Sequence, residues 1–369
     1  MDLTGSFREQ GRVDTLLGHI RREAAGEYIF MEVCGGHTTA IQSYGIPGML
    51  PHGIRLISGP GCPVCVTSQT FIDHAIALTG MPDVTVATFG DLVKVPGSES
   101  SLEREKAGGA DVRVVYSVNE AISLAEKNRE RKVVFLAVGF ETTAPGTAAG
   151  VLDAAKRGIR NFFLLSAHKI MPPAMRAVVT GGTHVNGFIC PGHVSAITGS
   201  GIYRFLPDDF GVGCVISGFE PLDILQSVLM LIRQVNLKRP GVEVQYTRAV
   251  KPEGNRKAVS IMNQVFRVSD DWWRGFGVLA GSGLRLREGY ENIDAEKVFP
   301  AFAEKNIDEG DCICGEILRG TSTPGECPLF GKACNPGNPA GACMVSSEGA
   351  CNVYFKYRNP HDTAYHKKY

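Results

Sequence analysis

Neither sign of charge is in excess in this sequence. Lys plus Arg and Asp plus Glu number 38 each, and the formal net charge is zero. A broad basic footprint is therefore lacking, and nonspecific DNA or RNA binding is not expected. Long hydrophobic runs are lacking too. The longest, such as 133–140, are far too short to cross a bilayer. The opening residues 1–14 hold no apolar stretch of the kind that directs secretion. No membrane partner and a cytoplasmic location are the expectations. Nucleotide signatures are also absent: there is no GxxxxGK(S/T) loop and no GxGxxG after the first apolar run. P-loop ATP hydrolysis and a Rossmann nicotinamide or flavin site are thus unsupported, and no GxSxG elbow is present.

What the chain does have is cysteine, 11 residues in all. Structural disulfides are rare in a reducing compartment, so metal binding or redox chemistry leads. The plain alternative is a small buried hydrophobe. That is expected of Cys190 and Cys214, which lie within or beside apolar runs.

Length and pattern give the fold class. At roughly 100–200 residues per domain, a chain of 369 residues suggests two or three domains. Short apolar runs at 28–33, 54–57, 84–89 and 112–116 recur at 133–138, 161–165, 187–189 and 213–216. Helical periodicity fills 66–79, 117–128, 146–158 and 221–236 between them. Such alternation argues for parallel sheets covered by helices, an α/β fold. The halves echo each other. The run 57–63 (ISGPGCP) compares with 188–193 (FICPGH), and 89–97 with 139–146. Two related parallel-sheet α/β domains are expected, 28–128 and 129–240, divided in the charged run 127–132. Residues 1–27 read as a helical segment that would pack on the C-terminal domain. From 241 to 369 the pattern changes to one helix candidate (255–267), the pair Trp272-Trp273, and a Gly/Pro/Cys-rich stretch over 308–351. A small domain of that composition usually needs a metal or disulfides to hold it. The last residues, 356–369, read as a surface tail.

In open parallel sheets ligands bind beyond the carboxyl ends of the strands, and the unusual residues cluster there. They are Cys34-Gly35-Gly36-His37, Gly59-Pro60-Gly61-Cys62-Pro63-Val64-Cys65, Gly139-Phe140-Glu141, His168-Lys169 and Cys190-Pro191-Gly192-His193. If two sheets face one another, these loops line one cleft. Cys62 and Cys65 form a CxxC before a helix, where the helix field favours thiolate. The pair can cycle between dithiol and disulfide, bind a soft metal, or be half of a zinc site. A zinc ribbon would offer a second CxxC, and the chain has none. Cys34 sits beside two glycines that leave its sulfur unscreened, a good soft ligand for low-valent iron or simply a core cysteine. His37 can orient a ligand, shuttle protons, or merely begin a helix. Glu141, His168, Lys169, His193 and Glu220 would manage protons in such a cleft, or serve as caps.

The strongest local signal is Cys327, Cys334, Cys343 and Cys351, with six, eight and seven residues between them. Four thiolates suit a cubane or a zinc ion, and spacing does not choose between them. The separate CxxC favours iron–sulfur. Cys312 and Cys314 have a spacing poor for chelating one ion and read as structural.

Taken in order, Cys34-Gly35-Gly36-His37-Thr38, the 59–65 loop, Gly139-Phe140-Glu141-Thr142-Thr143, His168-Lys169, 191–195 (PGHVS), Gly218-Phe219-Glu220-Pro221 and the Cys327–Cys351 quartet resemble the HypD family over nearly the whole chain. The resemblance implies two related α/β domains and a third carrying a [4Fe-4S] cluster on Cys327, Cys334, Cys343 and Cys351. It implies a scaffold that, with the small partner HypC, builds the Fe(CN)2CO group of [NiFe] hydrogenases. HypE would supply cyanide made through HypF, and the hydrogenase large subunit would receive the product. Cys34 would ligate iron, shared with a HypC cysteine. Cys62 and Cys65 would be the redox pair, in possible contact with iron. Residues left open by the motifs keep a thiol–disulfide oxidoreductase and a zinc-stapled interaction protein as alternatives. One departure stands out: the family usually carries a second histidine where this chain has Thr39. His37 would have to serve beside Cys34 alone, or with His193 across the cleft.

Overall fold

A computed structural model describes residues 7–300 and 311–357. The expected tail at 356–369 therefore lies almost wholly outside the described residues. Among the described residues there are eleven strands: β1 Tyr28–Glu32, β2 Ile54–Ser58, β3 Val84–Thr88, β4 Val112–Val114, β5 Lys132–Gly139, β6 Phe162–His168, β7 Gly187–Pro191, β8 Gly213–Ser217, β9 Val242–Val244, β10 Phe266–Trp273 and β11 Gly277–Leu286. Strands β2-β1-β7-β8-β9 form one sheet and β4-β3-β5-β6 another. All pairs in both are parallel. Such sheets bury both faces, which is why β5, β6, β7 and β8 are near-continuous apolar runs rather than alternating ones.

The strands do not divide between the sheets at residue 129. The chain starts the first sheet with β1 and β2, makes all four strands of the second, then returns with β7 beside β1. The echoes in the sequence explain the difference. The loops after β2 and β7 belong to one sheet, and those after β3 and β5 to the other. The likeness is thus between loops of the same sheet, not between successive halves. The charged run 127–132 is the turn from helix Val118–Lys127 into β5.

The N-terminal helix, Gln10–Glu23, also sits elsewhere than expected. It buries Val13, Leu17 and Ile20 in a core shared with helix Pro221–Asn236. Arg233 pairs with Glu23 across that contact at 2.7 Å. An apolar stripe at this spacing needs a matching helix face, and Leu222, Leu225 and Leu229 provide one.

Past residue 240 the chain is not a separate unit. β9 extends the first sheet. The antiparallel hairpin β10–β11 is welded to the second: Ser166 Oγ donates to Leu284 O at 2.8 Å, and Ile170 N to Ser282 O at 3.0 Å. Buried Lys169 donates to Asp271 at 2.7 Å and to Trp272 O at 2.8 Å. The cysteine-rich segment closes the molecule on the side where the strands end. Gly320, at φ +76°, lies so close to Met31 and Ile57 that a Cβ would collide with them. No helix among the described residues is long and apolar enough to cross a membrane.

Candidate functional site

The carboxyl ends of both sheets open onto one cavity of about 320 Å³. The first sheet contributes Cys34 after β1, Pro63 and Val64 after β2, and His193 after β7. The second contributes Phe89 and Asp91 after β3, and Gly139, Phe140, Thr142 and Thr143 at the end of β5 and just beyond it. Ser346 and Glu348 of the cysteine-rich segment complete the wall.

Cys34 is half-buried and precedes helix Gly35–Ser43. Its N–H donates to Glu32 Oε2 at 3.0 Å, and the Thr38 hydroxyl donates to Glu32 Oε1 at 2.5 Å. The glycines here are required by close approach. A Cβ at Gly35 would lie 2.3 Å from Glu348 Cβ, and one at Gly61 would lie 2.1 Å from the Cys34 nitrogen. The loop bearing the CxxC is thus packed on the backbone of Cys34. Burial, then the Glu348 carboxylate, push the Cys34 thiol up to about 12. Burial also lifts Glu32 to about 7, against the hydrogen bonds from Thr38 and Cys34.

Cys62 and Cys65 are joined as a disulfide, with Cα atoms 5.3 Å apart. Both are buried, and only Pro63 and Val64 between them face the cavity. The pair lies behind the cavity wall rather than in it.

The quartet Cys327, Cys334, Cys343 and Cys351 lines a second, small cavity with Phe330 and Met344. Cys312 and Cys314 line it too. Their one-residue spacing is poor for one ion, but Cys314 starts helix Cys314–Arg319 and is turned inward. Among the described residues no three His, Cys, Asp or Glu side chains are grouped to hold a single metal ion. Thiol donors in a buried, largely apolar pocket do fit a thiolate-ligated iron–sulfur group.

A family profile named HypD, described as "Hydrogenase formation hypA family", matches residues 12–358. The chain is 45% identical over 367 residues to the hydrogenase maturation factor HypD of Azotobacter vinelandii, covering 97% of each chain. It is 42% identical over 373 residues to that of Escherichia coli K12, covering 99% of this chain and 100% of the other. The chain belongs to the HypD family. Its relatives are named as hydrogenase maturation factors.

Other expected residues of this HypD-family chain are placed less directly. His37 is buried; its Nε2 meets Gly218 O at 2.9 Å and its Nδ1 has no partner. Phe219 is stacked between His37 and His193, with ring centroids 4.5 and 4.1 Å away. Burial holds His37 down to about 4 and lowers His193 as well. Thr39 donates back to Gly35 O at 3.0 Å and serves its own helix.

Glu141 does not face the cavity. Its Oε1 accepts from Met171 N at 2.9 Å at the start of helix Met171–Thr180, and its Oε2 is buried without a partner. Burial lifts it to about 7. His168 is likewise internal, held down to about 4 by burial, with Nε2 on Thr147 Oγ1 at 3.0 Å. Glu220 caps helix Pro221–Asn236 and pairs with Arg8 at 2.6 Å. Lys169 belongs to the hairpin contact described above.

Sequence reasoning missed Glu32, Glu348, Asp91 and Phe219. Glu32 carried a signal, a carboxylate ending an otherwise apolar strand. Glu348 lies between Cys343 and Cys351 and could have been read with them. Asp91 accepts from the Ser346 hydroxyl at 3.1 Å, a tertiary tie with no local sign in the sequence.

Proposed function

We propose that this chain is the scaffold on which, together with HypC, the Fe(CN)2CO group of [NiFe] hydrogenases is assembled in the cytoplasm. The observation supporting this best is Cys34 in the wall of a cavity fed by both sheets, with the Cys62–Cys65 loop packed on its backbone. Iron is the cargo. A Cys34 thiolate would ligate it, shared with a HypC cysteine, and low-valent iron suits sulfur. The Cys34 proton, firmly held in the free chain, would leave on coordination, because a metal ion deprotonates a bound thiol. His193 lines the same cavity and would receive such a proton. HypE, with HypF upstream, would supply cyanide, and the hydrogenase large subunit would take the finished group.

The Cys62–Cys65 disulfide takes up two electrons and two protons to become a dithiol, and returns them on closing. Cys327, Cys334, Cys343 and Cys351 would hold a [4Fe-4S] cluster, which when bound supplies electrons to that disulfide. The disulfide favours one second reading, an iron–sulfur thiol–disulfide oxidoreductase acting on a partner protein. Its burial behind Pro63 and Val64 weighs against direct attack by a bulky substrate.

The test is infrared spectroscopy with iron and acid-labile sulfide analysis on the anaerobically purified complex with HypC. Cyanide and carbonyl bands that vanish in Cys34→Ala, with cluster iron retained, are expected. Normal hydrogenase maturation by Cys34→Ala would refute the assignment. Absent bands with rapid turnover of a disulfide substrate would favour the reductase. Bound zinc without sulfide would leave a zinc-stapled interaction protein.

A further inference from the structure

His193 lines the cavity with nothing polar to fix its ring. Among the described residues no hydrogen bond or ion pair holds the imidazole. What meets it is the face of Phe219, with centroids 4.1 Å apart and planes 22° apart. Phe219 itself is held from several directions. It also stacks on His37, at 4.5 Å and 22°. His37 is pinned in turn, because its Nε2–H donates to Gly218 O at 2.9 Å. Tyr246 meets Phe219 edge-on at 6.0 Å. The backbone on either side of Phe219 is tied as well. Gly218 N donates to Gln245 Oε1 at 3.0 Å, and Glu220 N to Asp223 Oδ2 at 3.1 Å. Asp223 is fully buried and accepts from Gln245 and Arg248, each at 2.8 Å.

The same ring reaches the Cys34 loop. A Cβ at Gly36 would lie 3.2 Å from Phe219 Cε1 and 3.6 Å from Cys34 Sγ, so ring and sulfur flank one point of the backbone. Gly192, just before His193, is seated on Tyr246, where a Cβ would lie 2.7 Å from Cδ1. The backbone leading to His193 is thus packed in place, and its side chain leans on Phe219 alone.

We infer, resting on the scaffold reading above, that Phe219 is a positioning residue: a fixed plate that holds the His193 imidazole where it takes the proton Cys34 releases to a metal ion. In that step a metal–sulfur bond forms and the Cys34 S–H bond breaks. The proton passes to an imidazole nitrogen of His193 and on to solvent, since that residue is exposed. No electron changes hands. Phe219 touches neither metal nor proton. It removes the freedom of a ring that must stay aligned, and small misplacements of such a group cost large factors in rate.

The test mixes the full chain, purified anaerobically with Cys62–Cys65 left oxidised, with Co2+ in a stopped flow. The thiolate-to-cobalt absorption lost in Cys34→Ala is the signal of Cys34. Thiols of the C-terminal cysteine cage contribute alike in every variant and cancel. Phe219→Leu and His193→Ala should each slow that signal by about 10–100-fold. The double variant should be no slower than His193→Ala, because one residue acts through the other. Phe219→Tyr keeps the plate and should restore the parent rate. Should the leucine variant fail to fold, Phe219→Met gives the same comparison. NMR of 13C-labelled histidine adds a readout without metal. The His193 signal, identified by its loss in His193→Ala, should move downfield in Phe219→Leu and stay in place in Phe219→Tyr. Additive losses in the double variant, a parent rate in Phe219→Leu, or a His193 signal indifferent to that change overturns the positioning. A parent rate in His193→Ala overturns the proton step. Absorption that survives whole in Cys34→Ala overturns the iron-ligand reading instead, and the NMR signal still decides whether Phe219 holds the ring.

Discussion

Glu141 offers a stability effect that can be worked through from the structure. Its carboxyl is 3% exposed, with Oε1 bonded to Met171 N and Oε2 unpartnered. Burial raises its pKa from 4.5 to about 7. Between those values the folded chain keeps a proton that the unfolded chain has released. Stability from this group is therefore full below pH 4.5 and is lost as pH rises toward 7, then levels off. At about 1.36 kcal/mol per pKa unit, the loss is roughly 3 kcal/mol. Glu141→Gln keeps an acceptor for Met171 N and removes the ionisation. The variant should match the parent within about 1 kcal/mol at pH 5 and exceed it by roughly 3 kcal/mol at pH 8. Denaturant unfolding at both pH values, under reductant, measures it. Taking the difference from the parent cancels the other titrating groups. Among these, Glu32 acts in the same direction, while neutral buried His37 and His168 act oppositely, losing stability as pH falls below 6.5. Parallel pH profiles for variant and parent would refute the reasoning, because the carboxylate would then be compensated in the fold. A stable variant that fails to mature hydrogenase would return Glu141 to the proton-handling role expected from its position after β5.

Other substitutions probe the contacts that hold the site together. Lys169→Met leaves half-buried Asp271 with Arg285, at 3.4 Å, and the Trp272 N–H, at 2.9 Å, and should cost about 3 kcal/mol of unfolding free energy; an unchanged denaturation midpoint would count against the pair. Gly61→Ala drives a methyl into the Cys34 nitrogen and should lose roughly 1–3 kcal/mol. It should also reduce iron held with HypC, so full iron content would contradict the close packing of that loop. Cys334→Ala should lower the melting temperature and the iron and sulfide content together, as expected where metal binding is coupled to folding. An unaltered melting profile with full iron would remove Cys334 from the donor set.

Much of the fold was legible because strand and helix signals are local. The expected strands 28–33, 84–89 and 187–189 correspond to β1, β3 and β7, and helix 221–236 is Pro221–Asn236. Sheet membership was not legible, because β1 pairs with β7 across the whole second sheet in sequence. Nor was the hairpin: its β10 strand is largely exposed, and a bulge between Ser269 and Asp271 breaks its alternation. At the site, Cys34 and His193 could be named from their positions at strand ends. Glu141 shares such a position but turns inward, because the start of helix Met171–Thr180 offers it a backbone donor. A strand end fixes where a residue begins, while its neighbours decide which way it faces.

The interleaved topology gives the cysteine-rich segment a structural task. Both sheets end at the cavity, and the segment touches each of them there. Glu348 packs against Gly35 after β1, Ser346 and Ser347 hydrogen-bond to Asp91 after β3, and Gly320 rests on Met31 and Ile57 of the first sheet. Helix Ala350–Tyr357 packs on helix Gly35–Ser43. With so many glycines and cysteines, the segment has little aliphatic core of its own and, on the reading proposed above, would depend on a group held by its thiols. Whatever orders the cage therefore also sets the wall beside Cys34. Loss of order at Cys343 or Cys351 reaches the cavity through Glu348, which lies between them in sequence. Coupling of the two cavities then needs no separate conformational switch. It follows from one short segment whose sulfurs face one cavity and whose carboxylate faces the other.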